Sequence, residues 1–597
     1  PSIDTPLHAF LPFNHIDHLH PDAAIAIAAC KDGKKINEDL FEGKMGWVDW
    51  QRPGFDLGLK LEQCLKDNPG IRGIMLGGHG LFTWGDTAYE SYINTLKVIE
   101  KYSEYLHEHY GKNLPSGQAG KPVFGGLKTN VLPKEKRLEQ AAALAPVLRG
   151  FCSSEGRMPA YAEATAGKIG HFTDDERVLE FIDSKDVERL AKMGTSCPDH
   201  FLRTKICPLV LSLKPDEDLQ DEKGLKEKLS PAFEAYRAYY KKYYEEHKHA
   251  NSPAMRDPNP VVILYPGVGM FTFAKNKQTA RVASEFYINA INVMKGAEAV
   301  SEYVSLPLQE AFDIEYWLLE EAKLQRLPKP KPLSGKIALV TGSGGGIGKA
   351  IAKKFIEEGA CVVIADIVKE RLDKTFKEFG QAFSKDNFIT VPMDVVKPDE
   401  VDRCFREICL AFGGIDIAVN NAGLSVSKPL TETSIDDWDL LQNVLVKGQF
   451  IISREAVKIM KQQGMGGDIV DIVSKNALVS GPNNVGYGTA KAAQLHMSRL
   501  MASELGSDHI RVNIINPDAV IHGSNIWAGG WAEGRAKAYG ISVEDLPKYY
   551  ASRTLLNETI LPEDVANAVF VFVSGLLNKS TGNVLNIDGG VAAAFVR

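Results

Sequence analysis

The sequence predicts an α/β protein with three parts: an N-terminal α/β region, a degenerate second copy of it, and a C-terminal doubly wound parallel sheet. Three observations lead to this prediction: an internal repeat, a proline-rich segment that follows it, and a strand, glycine turn and helix start at residues 337–348. A chain of 597 residues is too long for one core. We place the parts at residues 1–115, 116–326 and 335–597, with a linker at 327–334.

The composition narrows the class of protein. Hydrophobic residues make up 44% of the chain, charged residues 24%, and the net charge is −7 without a long basic run, which argues against nucleic acid or a membrane as partner. No stretch approaches the roughly 18 unbroken apolar residues of a membrane helix. The eight cysteines include no Cys-x-x-Cys pair, so we expect a reducing, cytoplasmic location. The chain opens without an initiator Met or an apolar leader, and we expect upstream sequence to be missing.

The internal repeat lies upstream of the proline-rich segment. Residues 73–83 and 261–272 each consist of a short apolar stretch, a glycine turn and an aromatic residue, and each precedes a helix containing Tyr-Ile-Asn. Val268 in the second copy stands where the first has His79. We interpret the pair as two related α/β halves, the second without the histidine; chance similarity is the alternative.

Three histidines of the first copy form a candidate metal site. His18 and His20 lie two residues apart, which places both imidazoles on one face of a strand. His79 lies in a glycine turn at the end of another strand. Three imidazoles with an open position suit Zn²⁺ acting as a Lewis acid. A surface histidine cluster is the alternative interpretation.

The boundary before the last part is a run of alternating prolines at residues 328–332. Such a run cannot propagate a helix and favours extended geometry, so it predicts a short, stiff linker. A helix is predicted before it, from about Ala311 to Gln325.

The strand at residues 337–340 runs into Thr341-Gly342-Ser343-Gly344-Gly345-Gly346-Ile347-Gly348, and a helix follows. Glycines let the backbone approach a pyrophosphate, and the helix N-terminus offers N–H groups to it, as in a Rossmann sheet. The next strand ends at Asp366, 18 residues after Gly348. A carboxylate there can bind ribose hydroxyls and repels a 2′-phosphate, so we predict NAD rather than NADP. An ordinary strand-end turn residue is the alternative for Asp366.

Tyr487 and Lys491 form a Tyr-x-x-x-Lys motif, which places both side chains on one face of a helix. The ammonium and the positive charge of an oxidised nicotinamide would favour the phenolate and lower the pKa of the tyrosine. Ser474, 13 residues earlier, follows a predicted strand and can hydrogen-bond the reacting oxygen. A solvated helix pair is the alternative for this motif where it stands alone.

This ordered set resembles the short-chain dehydrogenase/reductase family over about 260 residues. The resemblance implies that Ser474, Tyr487 and Lys491 are catalytic, and that the cofactor is bound by Gly342, Ser343, Gly346, Ile347, Gly348, Asp366, Asp394, Asn421, Ala422, Gly423, Lys491 and Pro517.

The chain departs from the dehydrogenase pattern at two positions. The family's fourth catalytic residue, an asparagine, falls on Leu445, for which nearby Asn443 or Lys447 could substitute. The family's Pro-Gly after a later strand is Pro517-Asp518, which affects the loop on the nicotinamide side.

Residues 1 to about 110 resemble the class II aldolase family, specifically the rhamnulose-1-phosphate aldolases. The resemblance implies that His18, His20 and His79 are the metal ligands. The family's Pro-Ser-x-Glu, which carries the acid/base carboxylate, falls on Pro1-Ser2-Ile3-Asp4, so Asp4 takes the catalytic position with a shorter side chain. The family's phosphate loop is not found in the chain, and we expect it upstream.

Taken together, the parts resemble the bifunctional rhamnulose-1-phosphate aldolase/lactaldehyde dehydrogenase proteins. The resemblance implies zinc-dependent cleavage of a sugar phosphate, NAD-dependent oxidation of the aldehyde product, and a homo-oligomer. Two alternatives stay open: the dehydrogenase acts on another sugar-derived alcohol or aldehyde, or the N-terminal half is a metal-bearing assembly module without catalysis.

Overall fold

The structure is a computed structural model that describes residues 4–110, 122–153, 167–219, 221–326, 328–521, 523 and 531–595. Its contacts divide the chain into two units. The first unit comprises Pro1–Gln140, Phe172–Thr272 and Thr279–Pro328, and the second comprises Ala141–His171, Phe273–Gln278 and Lys329–Arg597. The four domain boundaries given above stay a prediction.

The first copy of the repeat is a four-stranded sheet with helices packed on it. Its strands pair in the order β1-β4-β3-β2, with β2 parallel to β3 and the other pairs antiparallel. The elements are α1 (Thr5–Ala9), β1 (His15–Leu19), α2 (Asp22–Ala28), α3 (Gly33–Phe41), β2 (Gly46–Val48), α4 (Phe55–Asp67), β3 (Gly73–Leu76), β4 (Leu81–Gly85) and α5 (Ala88–His109).

The second copy forms another four-stranded sheet, in the order β5-β8-β7-β6. The elements from its start to the linker are α6 (Lys134–Cys152), β5 (Ile169–Thr173), α7 (Glu176–Ile182), α8 (Val187–Met193), α9 (Pro198–Thr204), β6 (Leu209–Val210), α10 (Glu222–His247), β7 (Val262–Tyr265), β8 (Gly269–Ala274), α11 (Lys277–Val300), α12 (Leu308–Glu315) and α13 (Leu318–Gln325). The predicted single helix at 311–325 is therefore wrong, because α12 and α13 are separated at Tyr316 and Trp317.

The two copies have the same topology, which confirms the repeat. In each copy the first strand lies beside the last, and the last two strands form an antiparallel hairpin that leads into a long helix. The two hairpin turns also match in detail. The backbone N–H of His79 donates to the carbonyl of Leu76 at 3.1 Å, and that of Val268 donates to the carbonyl of Tyr265 at 3.0 Å. His79 and Val268 therefore occupy equivalent positions.

Both copies contribute to one hydrophobic core in the first unit. Ile25 and Ile27 of α2 belong to the same buried cluster as Ile291 and Met294 of α11. The contact between α2 and α11 is so close that a β-carbon on Gly296 would lie 2.6 Å from a side-chain atom of Ala26. The second copy thus stabilises the first by covering its apolar face.

The second unit contains a seven-stranded parallel sheet, as predicted. The order is β11-β10-β9-β12-β13-β14-β15, and every neighbouring pair is parallel. The strands β9 and β10 are buried along their whole length, as expected for a sheet covered on both faces. The strands are β9 (Ile337–Thr341), β10 (Cys361–Asp366), β11 (Phe388–Pro392), β12 (Ile417–Asn420), β13 (Gly467–Ile472), β14 (Ile510–Pro517) and β15 (Val584–Ile587).

The helices of the second unit cover the sheet, with one irregular turn. The segment Gln442–Lys447 is π-helical and joins two α-helices without a break. The helices are α14 (Gly346–Glu357), α15 (Lys369–Ala382), α16 (Pro398–Phe412), α17 (Ile435–Leu441), α18 (Gly448–Gln463), α19 (Val485–Leu505), α20 (Trp531–Tyr539), α21 (Leu546–Ser552) and α22 (Pro562–Val573). None of the helices in the described part of the chain has the length and apolar character needed to cross a membrane.

Candidate functional sites

The glycine turn between β9 and α14 has the geometry that a pyrophosphate requires. Gly342 has a φ of +63°, which favours glycine, and a β-carbon on Gly348 would lie 2.5 Å from the carbonyl oxygen of Gly342. The side-chain amide of Asn421 donates to the carbonyls of Thr341 and Gly342 at 2.9 and 3.1 Å, which holds the turn against the end of β12. The turn leads directly into the N-terminus of α14.

Two predicted cofactor residues are placed differently with respect to this turn. Asp366 ends β10, is 6% exposed, and accepts hydrogen bonds from the backbone N–H groups of Gly344 and Val368, both at 3.0 Å. Its carboxylate therefore lies at the turn. The hydroxyl of Ser343, in contrast, is fully buried and donates to the carbonyl of Val340 at 2.6 Å. The Ser343 side chain holds the sheet together, so Ser343 can reach a cofactor only through its backbone.

The remaining predicted cofactor residues lie around the same edge of the sheet. Ile347, Asn421, Gly423, Lys491 and Pro517 line one cleft with a volume of about 340 Å³. Asp394 follows β11 and accepts from the backbone N–H of Val396 at 3.2 Å. Ala422 donates its backbone N–H to the Thr341 hydroxyl at 3.0 Å, which fixes the loop after β12.

The structure brings the three predicted catalytic residues together in this cleft. Ser474 follows β13, and Tyr487 and Lys491 lie on α19. The Lys491 ammonium donates to the carbonyl of Ile472 at 3.0 Å and lies 5.8 Å from the centre of the Tyr487 ring. Tyr487 forms a hydrogen bond with Ser474. A phenol, a hydroxyl and an amine are thus gathered beside the glycine turn.

The buried surroundings of Tyr487 act against the predicted lowering of its pKa, which depends on the positive charge of a bound nicotinamide and stays a prediction. Burial raises the pKa of Tyr487 to about 12, although Ser474 and the charge of Arg535 act in the opposite direction. Burial also lowers the pKa of Lys491 to about 7, against the opposing charge of Asp471. Burial disfavours the charged form of each group, the phenolate of Tyr487 and the ammonium of Lys491. The spacing of the motif could not show this effect.

The departure at Leu445 lies in the π-helical turn. Leu445 is 1% exposed and lines the cleft, while Asn443 and Lys447 are both exposed and do not line it, so neither takes the place of the family's asparagine. The buried amide of Gln494 donates to the carbonyl of Leu445 at 2.8 Å instead. Gln494 is therefore the polar side chain that contacts the backbone of Leu445.

The second departure, Asp518, has a charged partner. Its carboxylate lies 3.0 Å from the ammonium of Lys475, and both side chains are at most 10% exposed. Both residues line the cleft, as does the buried Arg535. Three tyrosines, Tyr539, Tyr549 and Tyr550, line the same end of the cleft with Arg553. This end is polar and carries an excess of positive charge.

The three predicted metal ligands also meet. His18 is the last residue but one of β1 and His20 comes directly after the strand, while His79 lies in the turn between β3 and β4. Nitrogen atoms of all three rings lie within 4.8 Å of one another, and His79 is 2% exposed, so the group is not a surface cluster. The Nε2 atoms of His18 and His20 are 3.2 Å apart. Two imidazole ligands on a tetrahedral Zn²⁺ have a nitrogen separation of about 3.3 Å.

The Nδ1 nitrogens of the three histidines have different surroundings. The Nδ1 of His18 lies 3.1 Å from the carbonyl of Leu81, and that of His20 lies 2.8 Å from the carboxylate of Asp199. The buried Nδ1 of His79 has no hydrogen-bond partner among the described residues. The set therefore fits a divalent cation: a converging nitrogen pair and a third buried imidazole whose ring is not fixed by another group.

The charges of the histidines reflect these surroundings. Burial, and next the charge of His20, lowers the pKa of His18 to about 4. Burial lowers the pKa of His79 well below its ordinary value. Burial opposes the charged form of His20 as well, but the hydrogen bonds to Asp199 and Cys197 raise its pKa to about 10. His18 and His79 are thus neutral at physiological pH, the form that binds metal.

The predicted acid/base residue lies at the same site. Asp4 lines a cavity with His18, His20, His79 and Asp199. The rest of the predicted Pro-Ser-x-Glu motif, Pro1-Ser2-Ile3, lies outside the described residues. A carboxylate and three imidazoles therefore face one cavity in the first unit.

Comparison with known proteins finds class II aldolase and short-chain dehydrogenase families in this chain. Family models match three consecutive segments: the class II aldolase and adducin N-terminal domain over residues 1–106, the aldolase class II second domain over 139–324, and the short-chain dehydrogenase over 336–525. A Bacillus subtilis relative, described as uncharacterized oxidoreductase YuxG, is 40% identical over 597 residues, which is 100% of this chain and 84% of the relative.

The chain belongs to this family of fused class II aldolase and short-chain dehydrogenase proteins. The dehydrogenase part of the fusion is similar to shorter proteins as well. A Thermotoga maritima protein described as an uncharacterized oxidoreductase is 35% identical over 259 residues, 43% of this chain and 98% of that protein. A 3-oxoacyl-[acyl-carrier-protein] reductase FabG of Thermotoga maritima is 32% identical over 265 residues, 43% of this chain and 98% of that protein.

Several residues of the fusion's two sites were not found from the sequence. Asp199 and Cys197 are 179 and 177 residues from His20, and no local pattern marks them. Arg535 and the tyrosines of the cleft come from the segment after β14, where no motif marks them. The pair of Lys475 and Asp518 could have been suspected, because each residue follows directly on a predicted site residue.

Proposed function

We propose that the chain is a bifunctional enzyme that cleaves L-rhamnulose 1-phosphate to dihydroxyacetone phosphate and L-lactaldehyde, and then oxidises L-lactaldehyde to L-lactate with NAD. The observation that supports this proposal most strongly is the presence, in one chain, of a three-histidine cluster with a carboxylate and a Ser–Tyr–Lys cleft beside a glycine turn. The first would release the aldehyde that the second consumes. We also propose that the protein is a cytoplasmic homo-oligomer whose partners are these small molecules.

In the aldolase part, His18, His20 and His79 would hold a zinc ion. Zinc bound there would act as a Lewis acid that stabilises the negative charge developing on the keto oxygen as the carbon–carbon bond breaks. The protein must also remove the proton from the hydroxyl on the far carbon of the breaking bond, which becomes the aldehyde carbon of lactaldehyde, and return a proton to the carbon that stays with the phosphate half. Asp4 faces the same cavity as the imidazoles, and we assign this proton transfer to its carboxylate.

In the dehydrogenase part, the glycine turn would bind the pyrophosphate and Asp366 the adenosine ribose. The buried Asp366 carboxylate lies beside the N–H of Gly344, where the phosphate of NADP would meet a negative charge. The adjoining residue, Ile367, is 65% exposed and offers no cation to such a phosphate. Both features favour NAD.

Oxidation of an aldehyde at this site requires an O–H bond to break, because the cleft has no nucleophile for a thioester route. No cysteine is among the described residues that line it. We therefore assign the aldehyde hydrate as the reacting form. Tyr487, once ionised, would take the proton from one hydroxyl of the gem-diol. Bound NAD would accept the hydride from the same carbon, which would become that of a carboxylic acid.

The charges at the substrate end of the cleft support an acidic product. Asp518, whose negative charge raises the pKa of Tyr487, is paired with Lys475, whereas Arg535, which is 6% exposed, lowers that pKa by its positive charge. A carboxylate formed beside Tyr487 would be stabilised by the same charge. Bound NAD would add a second positive charge that opposes the burial penalty on the phenolate.

The experiment that tests both halves is NADH formation after L-rhamnulose 1-phosphate is added to full-length protein with zinc and NAD. We expect NADH, dihydroxyacetone phosphate and lactate in equal amounts. A second reaction with L-lactaldehyde alone should give NADH and lactate without dihydroxyacetone phosphate. NADP in place of NAD is the cofactor control.

Each part can fail separately. Bound zinc with no dihydroxyacetone phosphate would show that the N-terminal half has no aldolase activity on this substrate. A protein that releases lactaldehyde but does not oxidise it would show that the dehydrogenase has another substrate, which a panel of sugar-derived alcohols and aldehydes would identify.

A further inference from the structure

Between its first and second strands, the second copy contains one helix that the first copy lacks in the same segment. In the first copy, α3 is followed directly by β2, whereas in the second copy α9 lies between the equivalent elements α8 and β6. The extra helix spans Pro198–Thr204 and is preceded by Cys197. It is therefore an addition to the repeated fold rather than part of it.

This added segment reaches the histidine cluster of the first copy. The Oδ2 atom of Asp199 lies 2.8 Å from Nδ1 of His20. The Cys197 thiol donates to the carbonyl of His79 at 3.8 Å and lies 3.7 Å from the same His20 nitrogen. Asp199 also lines the cavity into which the histidines and Asp4 face.

The contact with Asp199 has a defined consequence for His20. A carboxylate at Nδ1 holds a proton on that nitrogen. A cation that displaced the proton of Nε2 would therefore find this nitrogen 3.2 Å from the Nε2 atom of His18. The carbonyl of Leu81 does the same for His18. Asp199 thus holds the imidazole of His20 in place, as the backbone carbonyl of Leu81 holds that of His18.

We propose that Asp199 is a positioning residue of the metal site, and that the second copy, which has no metal-binding histidine in its own turn, supplies this carboxylate to the first. The proposal rests on the metal site of the proposed function. Because Oδ2 is engaged by the imidazole, we assign Asp199 to holding His20 and leave proton transfer to Asp4.

The test is the zinc affinity of full-length protein, measured by competition with a chromophoric chelator. For Asp199→Ala we expect zinc affinity to fall 10- to 100-fold. Asp199→Asn should fall less, because the amide oxygen can still accept from Nδ1 although the charge is gone. Asp216→Ala is the matched control: Asp216 is an exposed residue of the second copy that does not line the cavity, so its affinity should equal that of the parent.

Each outcome decides the proposal. Zinc affinity of Asp199→Ala within twofold of the parent would overturn it. Circular dichroism of zinc-free protein shows whether the alanine variant folds. If it does not, the near-isosteric asparagine variant is used instead. An asparagine variant with the zinc affinity and the cobalt absorption spectrum of the parent would also overturn the proposal. A protein that binds zinc in an Asp199-dependent way but makes no dihydroxyacetone phosphate would refute the aldolase function alone. A parent that binds no zinc would refute both.

Discussion

Replacing Asp416 with Asn should destabilise the second unit strongly, because it leaves a buried arginine without its counter-charge. Arg149 of α6 is 0% exposed, and its guanidinium meets the Asp416 carboxylate at 2.7 and 3.0 Å. The same carboxylate accepts from the backbone N–H of Ile337 at 2.8 Å, at the start of β9. Burial opposes ionisation of Asp416, yet Arg149 keeps its pKa below the ordinary value.

The magnitude follows from this geometry. Removing one partner of a buried ion pair costs about 3–5 kcal/mol, since the remaining charge stays buried. The other acceptors of Arg149 are the carbonyls of Lys168 and Gly335, at 2.5 and 3.1 Å, and the Gln463 side chain at 3.1 Å. These groups are neutral and cannot replace the carboxylate. For a domain of this size the loss corresponds to a fall in Tm of roughly 6–20 °C.

The assay is urea unfolding of the full-length protein, followed by tryptophan fluorescence and by loss of NAD-dependent activity. Asp402→Asn is the matched control, because Asp402 pairs with Arg406 on the surface and is 62% exposed, so its loss should cost less than about 1 kcal/mol. Adding Arg149→Met to Asp416→Asn removes the unpaired charge and should recover part of the stability. A cost below 1 kcal/mol for Asp416→Asn would refute the reasoning.

Three further predictions concern the two sites. Tyr487→Phe should lower kcat for lactaldehyde oxidation by about 10²- to 10⁴-fold while NAD binding, followed by fluorescence, stays unchanged; full activity would rule out proton transfer by Tyr487. The folded pKa of Lys491 is about 7 against an ordinary 10.5, so the unfolded chain holds more protons between these values, and the free energy of unfolding should rise with pH across that window. Lys491→Met should remove this part of the slope in denaturation at several pH values, and an unaltered slope would contradict the burial argument. Removing metal with a chelator should abolish release of dihydroxyacetone phosphate but leave oxidation of added lactaldehyde intact, and loss of both activities would show that the dehydrogenase also needs metal.

Local patterns were sufficient to predict the backbone of both sites. The glycine turn at 342–348 could be predicted because its conformation depends on residues that are neighbours in sequence, and the position of Asp366 follows from the regular length of one helix and one strand. The repeat was recognisable because its hairpin, turn and helix recur in the same order. The meeting of His18, His20 and His79 was predicted from their positions on strand ends and from family resemblance, and the structure brings their nitrogens together.

What the sequence did not show depends on burial and on distant parts of the chain. The raised pKa of Tyr487 comes from desolvation, which the spacing to Lys491 does not report. The sequence did not show that Gln494, rather than Asn443 or Lys447, is the polar side chain at Leu445. That contact depends on the π-helical turn, which changes the direction of side chains by a fraction of a turn. No periodic or local pattern connects Asp199 with His20, because the contact is made by an added helix of the other copy.

The two copies of the aldolase fold have therefore diverged at the same turn. His79 keeps a buried imidazole with an unpartnered nitrogen, whereas Val268, its equivalent, is 0% exposed and fills that place with an apolar side chain. The second turn can then pack but cannot bind an ion. Because α2 and α11 share one core, this packing supports the first copy directly. The added helix α9 places Asp199 and Cys197 against His20 and His79, so the second copy contributes to the proposed metal site as well as to the core of the first copy.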